Sequence, residues 1–433
     1  MIKGIILIAF MVVIMVLMVT RKVPTLIAIP ILAIGIAVIA GVPLTGEESI
    51  MSTVIQSGAV KLAGSYTACL IATWMSCIMQ RTGITENMIR KAAELGGDKT
   101  NVVAILLFLV ICALSTVMSG LGAVIMMGTI AIPILISVGV EKFTAAAILL
   151  CAYGAGDHFG MVRATYFAEV FGLEVGQVYL FSVVVAITTG IAGLLYIITR
   201  LRKNGKKFAF SAPVSETEGE APVKLKGVRG ALAMLTPFVP IAAVVGFKWD
   251  VIPAFLLGIL WALIFTAESW KKTCNITAKT CYDGFLMGAP CAALMFFIGM
   301  LLNAINTSMV KDALAPLISN IVPTSPVAFA ALFIVLTPLV LYRGPLNMYG
   351  LGAGIAALMA SLGTVAPAMV CVGFLGVAAV QDTSCPTNTH NVWAAGFVEE
   401  DVTQITKAQI LWMWAAAAVA IINFFKNIIT LNL

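Results

Sequence analysis

Residues 156–166 read Gly-Asp-His-Phe-Gly-Met-Val-Arg-Ala-Thr-Tyr, and residues 381–391 read Gln-Asp-Thr-Ser-Cys-Pro-Thr-Asn-Thr-His-Asn. Each stretch interrupts an apolar run, and together they contain both histidines of a chain in which only 11% of residues are charged. Polar residues at membrane depth are costly and usually line a pathway or a binding site. Two such stretches, in matching positions of two halves, are typical of a transporter whose site lies between structural repeats.

The composition around these stretches places the chain in a membrane. Hydrophobic residues make up 61% of it, whereas a soluble domain is nearer half apolar and a quarter charged. The apolar residues come in long runs without the alternation of barrel strands, which predicts an all-α polytopic membrane protein. The first run, 4–19, is followed at once by another and lacks a small-residue cleavage site, which predicts a retained helix rather than a signal peptide.

The order of apolar runs predicts a duplicated fold. Full spans are expected near 4–20, 24–41, 58–80, 178–199, 231–247, 251–267, 284–302 and 406–425. The longer stretches 101–175 and 326–398 each contain an apolar run, a Gly-rich break, two more runs and a polar segment. We interpret each break as the tip of a re-entrant hairpin, with a kinked ordinary helix pair as the alternative.

Two inverted repeats of five spans follow, each with a hairpin and a broken helix. Scaffold helices are expected over 1–57, over 177–283 with a cytoplasmic linker at 200–229, and over 403–433. The first half of the transport domain is 58–176, with its hairpin at 101–139 and its broken helix at 143–175. The second half is 284–402, with its hairpin at 326–363 and its broken helix at 366–398.

Charge distribution predicts the orientation in the membrane. The linker is basic where it meets a helix, and cytoplasmic loops carry an excess of Lys and Arg. Placing it in the cytoplasm puts most of the 26 Lys and Arg on that side and the N-terminus outside, in a bacterial-type inner membrane. The positive charge is therefore a topology signal, and no nucleic-acid partner is expected. The nine cysteines are odd in number and without metal spacing, so neither disulfides nor a metal site is predicted.

Broken helices expose N–H groups that favour anions and carbonyls that favour cations. Residues expected to bind a substrate anion are Ser119, Gly120, Gly122, Arg163, Arg343, Gly344, Asn347, Thr387 and Asn388. Residues expected to couple a cation are Asp157, His158, Asp382, Ser384, Thr389 and His390. Arginine grips carboxylates bidentately, and a buried carboxylate binds a cation or a proton. The alternatives are that Arg163 pairs with Asp157, that Arg343 reaches the outer surface, and that both aspartates are helix caps.

Nothing in the chain predicts an enzyme, because it contains no phosphate-binding loop and no zinc-protease motif. No cofactor is expected beyond Na⁺ or H⁺ as the coupling ion. The bilayer and a small organic anion are the expected partners.

The order of elements, twice and inverted, resembles the ion transporter superfamily, which includes divalent-anion:sodium symporters, anaerobic C4-dicarboxylate carriers, citrate symporters and gluconate permeases. Residues 119–127 (Ser-Gly-Leu-Gly-Ala-Val-Ile-Met-Met), with Pro133 after them, are similar to the hairpin of the C4-dicarboxylate carriers. Residues 384–391, followed by Gly396, resemble the second broken helix of the citrate branch. The resemblance implies a homodimer that works by an elevator movement.

These observations predict a secondary active transporter that couples a Na⁺ or H⁺ gradient to movement of a small organic anion, with a carboxylate as the expected class. Cation/proton antiport is the alternative, in which the two aspartates form the whole site. A membrane subunit of a larger complex, without transport of its own, is a third reading.

Overall fold

The computed structural model describes residues 2–20, 22–203, 225–318, 323–361, 363 and 365–431. Within these ranges the regular structure is helical and no strand occurs. Six described helices are long and apolar enough to cross a membrane, or seven if the bent pair Lys142–His158 and Met161–Phe171 counts as one span. The chain is an all-α polytopic membrane protein, as the apolar runs predicted.

The first half of the chain builds the following helices. They are α1 (Ile2–Val19), α2 (Thr25–Ala40), α3 (Ala63–Arg81), α4 (Ile84–Gly96), α5 (Thr100–Ser115), α6 (Leu121–Ser137), α7 (Lys142–His158), α8 (Met161–Phe171) and α9 (Val175–Lys203). A π-helical turn, Ile50–Ser57, precedes α3. Helices α5 and α6 form the first hairpin, and α7 with α8 forms the first broken helix.

The second half of the described chain is also helical. Its helices are α10 (Gly227–Met234), α11 (Val239–Phe247), α12 (Val251–Thr266), α13 (Trp270–Asn306), α14 (Ser308–Ile318), α15 (Pro326–Leu336), α16 (Gly352–Ser361), α17 (Pro367–Ser384), α18 (Thr389–Phe397) and α19 (Val402–Leu431). Short 3₁₀ segments at Thr236–Phe238 and Thr337–Arg343 follow α10 and α15. The duplication of the two halves and their inversion both stay predictions.

Among the differences from the predicted elements, three concern the site's surroundings. Helix α13 begins at Trp270 rather than near 284, because Ser269 caps it by accepting a hydrogen bond from the Lys272 backbone N–H, and its polar first turns continue the helix. Its 37 residues extend about 55 Å, well beyond the ~30 Å of a bilayer core. The predicted linker shortens, because α9 continues to Lys203 and α10 begins at Gly227. Its residues 204–224 lie outside the described part.

The third difference is in the second hairpin. Its first arm passes from α15 into 3₁₀ geometry and then into irregular backbone, so the two arms are unequal. The sequence predicted two arms separated by a short Gly-rich break. The tip of the first hairpin contains no proline, whereas here Pro338 removes a backbone donor shortly after the end of α15.

The two broken helices lie at the centre of the molecule. In the span formed by α17 and α18, 94% of the most apolar window is buried, against 28–44% in the other candidate spans. Small residues permit this close packing, as membrane helices approach one another most closely at Gly and Ala. A Cβ at Gly154 of α7 would lie 3.7 Å from the Cβ of Asp382 on α17. The helices that contain the polar segments are therefore in direct contact.

Candidate functional site

The first polar segment forms the break between α7 and α8, whose axes meet at 54°. Asp157 and His158 occupy the last turn of α7, and Arg163 lies in the first turn of α8. The Nε of Arg163 donates a hydrogen bond of 3.0 Å to Asp157 Oδ2, and its Nη2 contacts the same oxygen. The break therefore places the guanidinium of Arg163 against the carboxylate of Asp157, six residues before it.

The second polar segment forms the break between α17 and α18. Asp382 lies in the last turn of α17 and is only 4% exposed. Its Oδ1 accepts a hydrogen bond of 3.3 Å from Gln381 Nε2. Its Oδ2 forms an ion pair with Arg163 Nη2 at 2.7 Å. His158 Nε2 is 3.5 Å from the same oxygen.

One buried cluster therefore unites Asp157, His158, Arg163 and Asp382, which we call the acidic cluster. With both carboxylates ionised and the imidazole neutral, its net charge is −1. An uncompensated charge is expensive inside a protein, so such a cluster favours binding of one further cation or proton. Arg163 Nη1 and both ring nitrogens of His158 are buried and have no hydrogen-bond partner among the described residues. Buried polar atoms of this kind normally bind a ligand or water.

Neutral polar side chains of the second segment form hydrogen bonds near the end of α17. Thr383 Oγ1 donates to the Ala379 carbonyl at 2.7 Å and lies 3.1 Å from the hydroxyl of Ser384. Asn388 Nδ2 donates to the Gln381 carbonyl at 2.6 Å. The Asn388 bond satisfies a carbonyl that the end of α17 leaves unpaired, whereas the Thr383 bond returns to its own helix.

The remaining residues of this segment divide between the two sides of the break. His390 Nε2 lies 2.9 Å from the backbone carbonyl of Asp382, and its ring lies against Tyr153 with centroids 4.9 Å apart. The hydroxyl of Thr387 lies 3.2 Å from Cys385 Sγ. Thr389 is exposed on the first turn of α18.

The tip of the first hairpin is attached to the cluster through Tyr153. The backbone N–H of Gly120 donates to the Tyr153 hydroxyl at 2.9 Å, and Tyr153 lies one helical turn before Asp157. Gly120 has φ of 86°, a conformation that a residue with a side chain rarely adopts. Helix α6 starts directly after it, so its free N–H groups begin at the tip. Gly122 packs against the Met287 side chain of α13, and Ser119 precedes this turn.

The backbone at the tip of the second hairpin is strained, and side-chain hydrogen bonds stabilise it. Tyr342 and Arg343 both have φ of 56°, which costs on the order of 1–2 kcal/mol for each residue that is not Gly. Arg343 Nη1 donates to the Tyr349 carbonyl at 3.1 Å. Asn347 bonds to the Val340 carbonyl at 3.3 Å and accepts from the Tyr349 N–H at 3.0 Å. Such strain persists where the surroundings over-determine the backbone, most often at functional sites.

Arg343 and Thr387 line a cavity of about 270 Å³ beside this tip. Its other lining residues are Met18, Val23, Pro24, Thr25 and Tyr342, so the turn between α1 and α2 forms one wall. We call it the Arg343 cavity. Gly344 and Asn347 shape the turn that holds Arg343.

The Arg343 cavity and the acidic cluster are separate places in the structure. Tyr166, on α8 with Arg163, stacks on Tyr349 at 5.2 Å and donates to the Met348 carbonyl at 2.6 Å. The loop that carries Arg343 thus packs against the helix that carries Arg163. The sequence predicts both arginines as substrate ligands, whereas in the structure Arg163 contacts both aspartates and Arg343 lines a cavity.

Sequence reasoning missed the aromatic residues of the site, Tyr153, Tyr166 and Tyr349, and also Gln381. Tyr153 was detectable in principle, because it lies four residues before Asp157 and therefore on the same helix face. Tyr349 carried no such signal, since its position depends on the irregular backbone after Arg343.

Neither a protein-family model nor a curated protein sequence matches the chain. Among solved structures, the YdaH transporter of Alcanivorax borkumensis, described as having an unusual topology, matches with a TM-score of 0.61. The match covers 92% of this chain and 97% of that chain at 13% sequence identity. The chain therefore has the overall fold of that membrane transporter. The resemblance to the ion transporter superfamily stays a prediction.

Proposed function

We propose that this protein is a secondary active transporter, with the architecture of the ion transporter superfamily, that couples an H⁺ gradient to movement of a small organic anion. The observation that carries the proposal is the pairing of a cationic cavity with a buried cluster of excess negative charge. The Arg343 cavity offers a cation to an anion, and the acidic cluster offers a negative charge to a proton.

The anion site rests on Arg343. A guanidinium has five N–H donors, and the structure gives one of its nitrogens, Nη1, a hydrogen bond to the Tyr349 carbonyl. Thr387 adds a neutral hydroxyl to the same cavity. A volume of about 270 Å³ is close to the lower end of ligand pockets, roughly 300–1,000 Å³, which suits a small molecule. Carboxylates match the guanidinium fork best, so an organic carboxylate is the proposed substrate.

The geometry of the acidic cluster favours H⁺ over Na⁺. A bound Na⁺ needs several oxygens around one point, and beside the two carboxylates it would also meet the positive charge of Arg163. The guanidinium of Arg163 also occupies the space between the two carboxylates. A proton needs only one carboxylate oxygen and removes the excess negative charge of the cluster.

Three contacts between the halves fit the inverted topology, whichever face lies outside. Lys142 pairs with Glu399 at 3.0 Å, and Arg81 pairs with Asp283 at 3.4 Å. The predicted topology places all four of these residues on the cytoplasmic face of an inner membrane. On the opposite face, Glu48 accepts a hydrogen bond of 2.8 Å from Ser308. The same proposal makes the hairpins and broken helices a moving domain within a homodimer that works as an elevator.

One observation favours the alternative, cation/proton antiport. Arg163 is held by two carboxylates, which leaves it a structural cation rather than a substrate ligand. If Arg343 is structural as well, the two aspartates are the whole site. A subunit without transport of its own is the third reading.

Purified full-length protein in liposomes separates these readings. The first assay measures uptake of labelled organic acids under an imposed pH gradient, and the second measures H⁺ movement with a pH-sensitive dye. Organic-acid uptake that requires the pH gradient supports symport. H⁺ movement that depends on an inorganic cation but on no organic acid supports antiport, and absence of both assigns the chain to a larger complex.

A further inference from the structure

A set of buried polar side chains lies outside the site described above. The amide of Gln409 on α19 is fully buried, and neither its oxygen nor its nitrogen has a hydrogen-bond partner among the described residues. The buried hydroxyls of Ser182 and Thr189 on α9 and of Thr144 on α7 also lack a hydrogen-bond partner within the described chain, and the buried hydroxyl of Tyr196 on α9 has only Arg200 beside it. We call these five side chains the polar stripe.

The three α9 residues lie on one face of their helix. They are spaced by seven positions, which is close to two helical turns and a rise of about 10.5 Å per step. This face is buried, whereas Ile187 and Ile191 on another face are exposed. The stripe therefore runs along the interior of the protein rather than along lipid.

Packing between α7 and α9 places the stripe relative to the acidic cluster. Gly190 faces Ala155, so Thr189 lies level with the end of α7 that carries Asp157 and His158. Gly193 faces Cys151, so Tyr196 lies about two turns from that end of α7.

The far end of the stripe reaches the face of the protein where α7 begins and α9 ends. Tyr196 packs on Trp412 with ring centroids 6.3 Å apart, and Gln409 lies one turn before Trp412 on α19. Arg200 lies 5.5 Å from the Tyr196 ring and 5.6 Å from the ring of Phe143, the residue before Thr144.

Other hydroxyls on the same helix behave differently. Thr188 donates to the Val184 carbonyl at 3.1 Å, and Thr199 donates to the Tyr196 carbonyl at 2.7 Å. Back-bonding of this kind is the usual solution for a Thr in an apolar helix. An unsatisfied buried polar group is destabilising, and buried groups without a protein partner are usually satisfied by ordered water. The stripe has the chemistry of a row of water sites.

We infer that bound water molecules follow the polar stripe from Arg200 past Tyr196 and Thr189 to Asp382, and that protons reach Asp382 along them. Ser182 lies one step beyond Thr189, outside this route. This inference rests on the proposed coupling to H⁺. A proton passes between hydrogen-bonded waters and onto an oxygen of Asp382, which becomes a neutral carboxylic acid, and no other bond changes. The ionisable groups that face this route include Asp157, His158, Tyr153 and Cys151 of α7, Glu141 before α7, Arg163 of α8, Tyr196 and Arg200 of α9, and His390 of α18.

Removal of the polar atoms at nearly constant shape tests the route. Full-length protein in liposomes is given a pH gradient and an organic acid that it transports, and H⁺ uptake is followed with a pH-sensitive dye. Gln409→Leu and Thr189→Val should each slow H⁺ uptake about tenfold, the effect of losing one hydrogen bond in the transfer barrier. Thr188→Val is the matched control, because its hydroxyl already bonds to backbone, and it should stay within about twofold of the unchanged protein. Equal rates in all three variants would overturn the inference.

A density map of the full-length protein that resolves bound water gives a second, independent result. Water peaks within hydrogen-bond distance of Gln409 and Thr189 are expected, and dry packing around both side chains overturns the inference. If the unchanged protein moves no protons with any organic acid, the proposed symport fails, while the map still decides whether the waters exist.

Discussion

Arg163 on α8 lies 2.7 Å from Asp382 on α17, so one ion pair joins the first half of the chain to the second. Asp157 shares the same guanidinium, and all three side chains lie where a helix is broken. Because the α7–α8 and α17–α18 breaks lie side by side, the charged side chains of the two breaks come into contact. The acidic cluster therefore links the two halves of the chain by an ion pair and is also a candidate ion site.

Removal of the shared cation should destabilise the fold strongly. Arg163→Gln leaves two buried carboxylates without their cation, and loss of one partner of a buried pair costs about 3–5 kcal/mol. We expect a clear drop in the unfolding midpoint of the detergent-solubilised protein at neutral pH. Asp157→Asn is the control, because it leaves one carboxylate and one guanidinium in balance and should cost much less. Equal midpoints for Arg163→Gln and the unchanged protein would show that the ion pairs do not support the fold.

The two aspartates should differ in their effect on coupling. Asp382 is more deeply buried than Asp157, with a side chain 6% exposed against 14%, and it alone faces both Arg163 and His158. We expect Asp382→Asn to abolish the dependence of uptake on pH, and Asp157→Asn to reduce it less. The measurement is substrate uptake into liposomes as a function of pH and of Na⁺. If both variants keep the dependence of the unchanged protein on both ions, the carboxylates are only helix caps.

Much of the helix order was predictable from the sequence, because span-length apolar runs and Gly-rich breaks are local features. Asp157 and Asp382 stood out for the same reason, since a charge in an apolar run is visible without a structure. The partner of Arg163 was less predictable. Its pairing with Asp157 was an open alternative, whereas its contact with Asp382 depends on how α8 and α17 cross.

The second hairpin shows what local patterns do not determine. Tyr342 and Arg343 adopt left-handed backbone that their residue types disfavour, and only the side-chain bonds of Asn347 and Arg343 explain why. The polar stripe was missed because each of its residues is a single hydroxyl or amide within an apolar run. The seven-residue spacing of its α9 members indicates a buried polar face only when it is known which other faces of that helix contact lipid and which contact protein.

Arg343 should govern affinity for the substrate. Arg343→Lys keeps the charge but loses the bidentate fork, so binding should weaken by about 1–3 kcal/mol, the scale of a charge-assisted hydrogen bond. A thermal-shift titration with the transported organic acid measures this change, because a ligand stabilises the state that it binds. Thr25→Val, at the opposite wall of the cavity, is a control that keeps every charge. Unchanged affinity in Arg343→Ala would rule out a role for this side chain in binding.

Close contact between α5 and α7 should make Gly156 irreplaceable. A Cβ at Gly156 would overlap the backbone carbonyl oxygen of Cys112, which has little freedom to move. Gly156→Ala should therefore destabilise the protein by about 1–3 kcal/mol, as overpacking does. Gly176→Ala in α9 is the matched control, because a Cβ at that position would meet no other atom within 4 Å and Ala favours a helix. Comparison of the two unfolding midpoints tests the packing of the first hairpin on the broken helix.

The inverted topology predicts which residues are reachable from outside the cell. Arg202, near the end of α9, should lie in the cytoplasm, and Asn306, at the end of α13, should lie outside. The ion pair between Lys142 and Glu399 places two loops of different halves on one face, as the inversion requires. Cysteines are introduced singly at positions 202 and 306 in a background from which the reactive native cysteines, including the exposed Cys274, have been removed. An impermeant maleimide added to intact cells should label position 306 and not 202, and labelling only after lysis should reveal position 202. The reverse pattern would place the N-terminus inside and would move the Arg343 cavity to the other side of the membrane.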